Sequence, residues 1–318
     1  MRAPVLSIIV PTYNHEKYIR KTFESIIYQP KDFEYEILCI DDNSQDNTPQ
    51  LLKKIKEENP NVDIRLFLNE KNEGVARNVY YCFMEARGKY ITLLEGDDYW
   101  EITDELKKSV DFLEKSSEFL AISRNTKCLD EKTNELTGLS IKLGKKDRVT
   151  NICNYFKGAP IRTCIYRNFY LNKDEDFSVI YKSARMLSEI AIGFLIVEHG
   201  AIFHTGNAWE VKRTDRIEGA SNYNSITKSI DILEEYMNAY ATLEKYRPEY
   251  DFFSQYKCTL VEWFWRFFYA KNWMSVRTFH KYVKQGHRID FGISLILSIP
   301  KYFMKYISDK KKALNLNK

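Results

Sequence analysis

The sequence predicts an α/β protein, with a doubly wound, mostly parallel, Rossmann-like sheet in its first part and helices in its last part. Short apolar runs alternate with amphipathic stretches over the first hundred residues, as expected of a chain that passes repeatedly between strand and helix. Beyond residue 222 no strand-like run remains, and the apolar residues recur at helical spacing. We therefore expect an α/β domain over 1–222 and a helical C-terminal region over 223–318.

The α/β part divides into strand-like and helix-like stretches. The runs VLSIIV and YEILCI are mostly apolar, which is typical of strands that a parallel sheet buries on both faces. Gly88 follows the third amphipathic stretch, at a place where glycines commonly end helices. The predicted strands are 5–10, 35–40, 62–68, 90–94 and 119–123, and the predicted helices are 16–28, 49–57, 75–86 and 103–114. A hairpin turn is predicted at 130–134.

Polar motifs lie next to the predicted strands. PTYN follows the first strand at 11–14, DDNS follows the second at 41–44, NEGVARN opens the third helix at 72–78, and EGDDYW follows the fourth strand at 95–100. Ligands of open α/β sheets bind at the carboxyl ends of the strands. These motifs therefore predict a single site at one edge of the sheet.

The motif after the fourth strand is acidic. Glu95, Asp97 and Asp98 place three carboxylates within four residues, and such groups repel one another unless a cation lies among them. A divalent metal bound by carboxylates, with its other positions left to water and phosphate oxygens, is a usual way to hold a nucleotide diphosphate. A polar turn with Gly96 chosen for its backbone is the alternative in isolation. The companion motifs favour the metal site.

Over residues 5–116 these motifs resemble the family 2 glycosyltransferases, which have the GT-A fold. The resemblance implies inverting transfer of a sugar from a nucleotide-diphosphate sugar, with Mg²⁺ or Mn²⁺ as the cofactor. Two residues depart from the family pattern: Glu95 stands where many members have Asp, and Asn43 where many have Gly. Both keep the polarity of the site, and Asn tolerates a left-handed backbone. The variant EGDDYW is similar to that of a bacterial surface-polysaccharide subset.

The resemblance also implies roles for single residues. Thr12, Tyr13 and Asp42 would hold the nucleobase and its ribose, and Arg77 would lie near the diphosphate. Asp97 and Asp98 would be the metal carboxylates, with Asp98 as the direct ligand. The predicted nucleotide-sugar-binding residues are Pro11, Thr12, Tyr13, Asn14, Asp41, Asp42, Arg77, Asp97 and Arg213. Residues 1–116 would thus bind the donor, with a UDP-sugar favoured, and residues 117–222 would face a glycan or lipid-linked glycan acceptor.

The general base is expected at the start of a later helix, because the family has it there. The sequence predicts a helix over 183–198, and Glu189 is the candidate, since an inverting transfer needs a carboxylate within reach of the acceptor hydroxyl. A surface carboxylate that balances neighbouring basic residues is the other reading of Glu189. The alternative candidates for the base are Asp174, Glu175 and Asp176.

Residues 210–221, after a short strand predicted at 201–204, resemble the mobile loop that follows a Tyr-Arg motif in the family. Lys212 and Arg213 stand at the motif, so the tyrosine is missing. A cation here could neutralise the departing diphosphate. A solvated basic loop is the alternative.

The C-terminal region carries most of the positive charge. The whole chain of 318 residues has a net charge of +4, but residues 281–318 alone carry +7 and the rest carries −3. The apolar stretch 291–307 is interrupted by Pro300 and two lysines, and Lys310–Lys312 follow it. This pattern favours a helix lying on the inner, anionic face of the plasma membrane. A helix that caps the catalytic domain is the alternative.

Other features narrow the functional class. The six cysteines form no CxxC pair, which favours reduced thiols, and no run of about twenty apolar residues or signal peptide is evident. We therefore expect a cytoplasmic enzyme, peripheral on the membrane, without a nucleic-acid partner.

Rival functions from other classes stay open. A catalytically silent nucleotide-sugar-binding scaffold would keep the motifs but lack a base. A nucleotidyltransferase would need a glycine-rich phosphate loop after the first strand, where this chain has PTYN. A membrane-binding module would explain only the tail.

Overall fold

The computed structural model describes residues 3–139, 147–152, 163–185, 189–214, 229–269 and 291–299. Contacts divide the chain into two compact units, Met1–Lys228 and Ser229–Lys318. The larger unit is an α/β domain and the smaller one is helical in its described residues.

The larger unit contains one mixed sheet flanked by helices. Its strands are β1 (Leu6–Thr12), β2 (Tyr35–Asp41), β3 (Asp63–Leu68), β4 (Tyr90–Leu93), β5 (Tyr99–Trp100), β6 (Phe119–Asp130), β7 (Glu135–Leu139), β8 (Arg148–Thr150), β9 (Cys164–Arg167) and β10 (Ala201–Thr214). Its helices are α1 (Ile19–Ile27), α2 (Thr48–Glu58), α3 (Val75–Glu85), α4 (Glu105–Lys115), α5 (Val179–Ser183) and α6 (Glu189–His199). The strand order is β3-β2-β1-β4-β9-β6-β10-β5, with β7 beside β6 and β8 beside β10.

The half of the sheet formed by β1 to β4, which the apolar runs of the sequence predicted, is parallel. Strand β1 pairs with β2 on one side and with β4 on the other, and β2 pairs with β3, all in parallel. Every residue of β1 is buried, as expected of a strand covered on both faces. The carboxyl ends of β1, β2 and β4 therefore lie at one edge of the sheet, which confirms the predicted fold class.

The other half of the sheet is mixed. Strand β9 runs antiparallel to both β4 and β6, whereas β10 is parallel to β6 and antiparallel to β5. The predicted hairpin turn is confirmed, since Asp130 of β6 pairs with Glu135 of β7. The carboxyl end of β10 thus points to the same edge as the ends of β1, β2 and β4.

Strand β10 is much longer than the strand predicted at 201–204. It runs for 14 residues to Thr214, with register shifts beside β6 near Ala208, and its later part pairs with β5. The prediction of a loop from residue 210 was therefore wrong for Glu210–Thr214, because pairing with β5 and β6 holds this polar segment extended. Lys212 and Arg213 lie on a strand.

The helix predicted over 183–198 is also interrupted. Helix α5 ends at Ser183, and Ala184 is extended (φ −158°, ψ 154°). The carbonyl of Arg185 then accepts a hydrogen bond of 3.0 Å from the backbone N–H of Ala76, in the first turn of α3. This tertiary contact takes the chain out of the helix, and α6 begins at Glu189.

Gly88 allows the chain to pack closely against β1. A Cβ at this position would lie 2.5 Å from the backbone nitrogen of Ser7 in β1, a distance that no side chain tolerates. The Gly88 N–H donates to Ser7 Oγ at 2.8 Å. The glycine therefore lets the chain enter β4 directly beside β1.

The smaller unit is described through three helices: α7 (Ser229–Tyr246), α8 (Phe252–Tyr269) and α9 (291–299). Trp265 Nε1 of α8 donates to Ser298 Oγ of α9 at 2.7 Å. Leu243 of α7 and Leu260 of α8 are buried. Among the described residues, none of the helices is long and apolar enough to cross a bilayer.

Candidate active site

The acidic motif forms a tight turn directly after β4. Asp98 N–H donates to Glu95 O at 3.0 Å, which closes the turn. One carboxylate oxygen from each of Glu95, Asp97 and Asp98 lies within 4.8 Å of the others. Asp97 is only 4% exposed and Asp98 only 1%. Buried hard oxygen donors at this spacing fit Mg²⁺ or Mn²⁺ better than a softer metal.

Neighbouring elements hold this turn in place. Thr22 Oγ1 of α1 lies 2.9 Å from Gly96 O and 2.7 Å from Asp98 O, and Gly96 N–H donates to Pro11 O at 3.0 Å. A Cβ on Gly96 would lie 2.9 Å from Thr12 Cβ, so no other residue fits without displacing the end of β1. The carboxylates are thus fixed by the backbone of the turn, against α1 and β1.

Strand β10 brings Arg213 to the acidic turn. Its backbone N–H donates to Asp98 Oδ1 at 3.0 Å, and its Nη1 donates to the carbonyl oxygen of Asp97. Arg213 therefore contacts both predicted metal carboxylate residues, one through its backbone and one through its side chain. Its side chain is 7% exposed, so the contacts are shielded from water.

The guanidinium of Arg213 is enclosed by further side chains. It lies 4.8 Å from the ring centroid of Tyr18 and 4.9 Å from that of Tyr99, and its Nε lies 3.4 Å from Glu131 Oε1. Tyr18 Oη in turn donates to Glu131 Oε2 at 2.8 Å. Lys21 Nζ stands 3.7 Å from the Tyr99 ring, and burial, followed by repulsion from Arg213, lowers its pKa. In this arrangement Arg213 braces the acidic turn.

The loop after β1 is the second wall of the site. Pro11 and Thr12 are buried, and Tyr13 and Asn14 are partly exposed. Thr12 O accepts from Asp42 N–H at 3.0 Å, which joins the ends of β1 and β2. Thr12 Oγ1 is buried and has no hydrogen-bond partner in the described part of the chain. Such a hydroxyl is a donor that a bound ligand can satisfy.

Asn14 shapes the same loop. Its φ of 55° is left-handed, which Asn tolerates better than most residues. Its N–H donates to Ser44 Oγ at 2.8 Å, and its Oδ1 accepts from Gln45 N–H at 2.8 Å. Asn14 therefore ties the loop after β1 to the loop after β2.

The two aspartates after β2 are used in different ways. Asp41 accepts hydrogen bonds from Ser44 N–H at 2.9 Å and from Ser44 Oγ at 2.5 Å, and burial raises its pKa. Asp42 instead accepts from Glu73 N–H at 2.8 Å and from Gly74 N–H at 3.0 Å. Asp41 thus stabilises its own loop, whereas Asp42 connects β2 to the start of α3.

Arg77 lies on the first turn of α3, whose preceding residues Glu73 and Gly74 donate to Asp42. Its Nη1 is 3.4 Å from Glu73 Oε2, and its guanidinium is 5.1 Å from the ring centroid of Tyr181 in α5. The side chain is 57% exposed, so it remains accessible to a ligand.

Glu189 is the first residue of α6 and is partly exposed. Arg185, four residues earlier, lies against α3, because its Nη2 donates to Asn72 Oδ1 at 2.8 Å. Four residues span at most about 14 Å, so the Cα of Glu189 lies within about 14 Å of the Cα of Arg185.

The alternative carboxylates have other contacts. Glu175 Oε2 lies 3.0 Å from His199 Nε2, and Asp176 accepts from Ser178 N–H at 2.8 Å. A hydrogen bond from Ser178 lowers the pKa of Asp176. Asp174 donates its backbone N–H to Asn172 Oδ1.

Sequence reasoning missed four residues of this site. Tyr18 directly precedes α1, Thr22 lies on α1 and Glu131 lies in the turn after β6, and nothing in a local pattern marks them. His15 directly follows PTYN, and its Nε2 lies 3.4 Å from Asp97 Oδ2. Its place beside a predicted site motif was the one signal that could have found it.

Known proteins show which family has this arrangement. The model of glycosyl transferase family 2 matches residues 7–174. Two proteins of Bacillus subtilis are similar to this chain. The putative teichuronic acid biosynthesis glycosyltransferase TuaG is 31% identical over 35% of this chain and 42% of its own length. The minor teichoic acid biosynthesis protein GgaA is 29% identical over 60% of this chain and 42% of its own length. Across such relatives this chain matches only 15% to 42% of the relative's own length.

Solved structures show the same fold. S. aureus TarS 1-349 in complex with UDP-GlcNAc superposes with a TM-score of 0.56 at 23% identity, over 75% of this chain and 66% of that one. The larger unit therefore has the GT-A fold, as the resemblance of its motifs implied. Since the family model covers just over half of the residues, the chain belongs to glycosyl transferase family 2.

Proposed function

We propose that this protein transfers a sugar from a nucleotide-diphosphate sugar to a hydroxyl of a glycan or lipid-linked glycan, with inversion at the anomeric carbon and with a divalent metal. The observation that carries the proposal is the grouping of Glu95, Asp97 and Asp98 at the sheet edge where β1 and β2 also end. Residues 1–116 bind the donor and residues 117–222 face the acceptor.

A UDP-sugar is the favoured donor. The loop after β1 offers the buried hydroxyl of Thr12 beside the partly exposed Tyr13, and the loop after β2 adjoins it through Asp42. An aromatic ring and a buried polar group suit a nucleobase and its ribose. The similarity in fold to TarS, which was solved with UDP and with UDP-GlcNAc, supports testing this donor class first.

Asp97 and Asp98 would hold Mg²⁺ or Mn²⁺, and Glu95 completes the oxygen cluster. A bound metal of this kind neutralises the diphosphate and makes it a better leaving group. GalNAc-T7, solved with UDP, GalNAc and Mn²⁺, has a fold related to that of this chain, with a TM-score of 0.50 at 13% identity. Arg213 supports the same carboxylates from β10 and adds positive charge to the site.

Glu189 is the proposed general base. It accepts the proton of the acceptor hydroxyl while the hydroxyl oxygen bonds to the anomeric carbon. The bond from that carbon to the diphosphate breaks at the same time, and its electron pair leaves with the nucleotide. The position of Glu189 at the start of α6, on a segment joined to α3 by Arg185, supports this role over Glu175 and Asp176, whose carboxylates have local partners.

The biological setting that we propose is bacterial capsule, O-antigen or exopolysaccharide synthesis. The names of TuaG and GgaA support it, because they refer to teichuronic and teichoic acid synthesis. The enzyme would work on the inner face of the plasma membrane.

The substitution Asp98→Asn tests the proposed reaction. We expect a panel of UDP-, GDP- and dTDP-sugars to raise the melting temperature of the unaltered protein when Mn²⁺ is present, with one donor class giving the largest shift. Asp98→Asn should abolish the dependence on Mn²⁺ and lower transfer or donor hydrolysis at least about a hundredfold, because it removes a charged oxygen ligand.

Asp111→Asn is the matched control, since this carboxylate is 46% exposed on α4 and forms its ion pair with Lys107 at 3.2 Å. Transfer by Asp98→Asn as fast as by the unaltered protein would exclude the metal mechanism. Donor binding without turnover across the whole panel would instead favour the catalytically silent scaffold.

A further inference from the structure

Helix α9 of the smaller unit exposes the side of the helix that would normally be buried. Ile293, Ile296 and Leu297 are spaced three and four residues apart and so share one face. They are 52%, 66% and 76% exposed, and the neighbouring Ile299 is 46% exposed. A helix of a water-soluble domain usually turns such residues inward and its polar residues outward.

The inward contacts of α9 are made by other residues. Ser298 Oγ accepts a hydrogen bond from Trp265 Nε1 of α8 at 2.7 Å, and Phe291 is buried. Helix α9 is therefore attached to its own unit through Phe291 and Ser298, while its apolar side chains face outward. It is a defined apolar surface, which we call the α9 face (Ile293, Ile296, Leu297 and Ile299).

The charges next to this face indicate what covers it. Five lysines and one aspartate occupy residues 301–312, immediately after the helix in sequence, and residues 281–318 together carry +7. A second copy of the chain on this face would bring two such lysine clusters together, and like charges would oppose that dimer. An anionic lipid surface satisfies both features, because its interior takes apolar side chains and its headgroups attract lysines.

We propose that the α9 face inserts into the headgroup and acyl boundary of an anionic membrane. This places the smaller unit, rather than the catalytic edge of the sheet, in contact with the bilayer. The proposal goes beyond the transfer reaction, since it requires neither donor nor metal.

Flotation of the full chain with lipid vesicles tests whether the α9 face binds a membrane. We expect binding to vesicles that contain phosphatidylglycerol, weaker binding at high salt, and little binding to pure phosphatidylcholine. The double substitution Ile296→Glu with Leu297→Glu should weaken binding roughly tenfold or more, since it removes two inserted apolar side chains and adds two negative charges.

The matched control is Leu136→Glu with Leu139→Glu in β7. These side chains are 57% and 46% exposed, and the charge change is the same. The control should bind vesicles as the unaltered protein does.

Equal binding by the α9 variant and its control would overturn the proposal, as would absence of binding by the unaltered protein. A dimer in light scattering that only the α9 variant dissociates would assign the face to a second copy instead. Transfer to a soluble acceptor without vesicles reports on the proposed reaction alone, so failure of either proposal can be recognised separately.

Discussion

At the scale of single residues, Arg213 shows how much of the site depends on contacts between distant segments. Its side chain meets residues from the loop after β4, from the N-terminal end of α1 (Tyr18) and from the turn after β6. The sequence predicted a cation near the diphosphate at this position from a motif alone. It could not predict Glu131 or Tyr18, because each is more than eighty residues away and lies in an unremarkable local pattern. The contact of Arg213 with a diphosphate stays a prediction.

The substitution Arg213→Lys tests the bracing role. Lysine keeps the charge but lacks the planar guanidinium with which Arg213 contacts Asp97 O and Glu131 at the same time. The acidic turn should therefore shift. We expect kcat/KM for transfer to fall about tenfold or more, with weaker Mn²⁺ activation, because small displacements of a reacting group are costly.

Lys212→Arg is the control for this experiment, since the neighbouring side chain on a strand points to the opposite face. Steady-state kinetics over a range of Mn²⁺ concentrations give the comparison. Unchanged Mn²⁺ activation in Arg213→Lys would contradict the role.

At the scale of elements, the sequence predicted the parallel half of the sheet well and the mixed half poorly. Strands β1 to β4 are mostly apolar and end at clear polar turns, so their bounds differ from the prediction by only one or two residues. Strand β10 carries polar residues and is held by its pairing with β5 and β6, which no local pattern reveals. The break between α5 and α6 likewise depends on the contact of Arg185 with α3.

The close packing of the acidic turn on β1 and α1 predicts the effect of Gly96→Ala. The added methyl would lie 2.9 Å from Thr12 Cβ and from His15 Nδ1, and 3.1 Å from Ile19 Cδ1. We expect a loss of about 1–3 kcal/mol in the free energy of unfolding, together with weaker Mn²⁺ binding, because overpacking must displace the carboxylates.

Gly292→Ala in α9 provides the contrast, since its added methyl meets nothing within 4 Å and alanine favours a helix. Denaturant unfolding and Mn²⁺ titration measure both variants. A Gly96→Ala protein as stable as the unaltered one, with the same affinity for Mn²⁺, would show that the turn is not tightly packed.

At the scale of the whole molecule, charge and burial are distributed unevenly. The chain outside residues 281–318 is slightly acidic, and ionisable groups are buried inside its sheet. His204 on β10 is one of them: its Nε2 lies 2.8 Å from Thr150 Oγ1, and burial, followed by repulsion from Arg148, lowers its pKa to about 4. These contacts are those of a structural histidine.

This histidine predicts that acid destabilises the fold. Its pKa in the folded state lies below the unfolded value, so the unfolded state binds more protons and stability falls as the pH drops from about 6.5 towards 4. Over this range the unaltered protein should lose up to about 1.4 kcal/mol per pH unit relative to His204→Gln. Urea unfolding at several pH values gives the free energy of unfolding against pH for the unaltered protein and for His204→Gln. Carboxylates titrate alike in the two proteins, so their contribution cancels when one curve is subtracted from the other. Parallel curves would mean that His204 is already protonated in the fold.

The hydrogen bond that Asp98 receives from β10 has a consequence for how this sequence can vary. The donor is the backbone N–H of residue 213, and every amino acid except proline carries that group. Exchange of the side chain at residue 213 for any other except proline therefore leaves this one hydrogen bond to the Asp98 carboxylate intact. The contacts of the Arg213 side chain with Asp97 and Glu131 have no such protection, so the two aspartates of the turn differ in how far a mutation on β10 can disturb them.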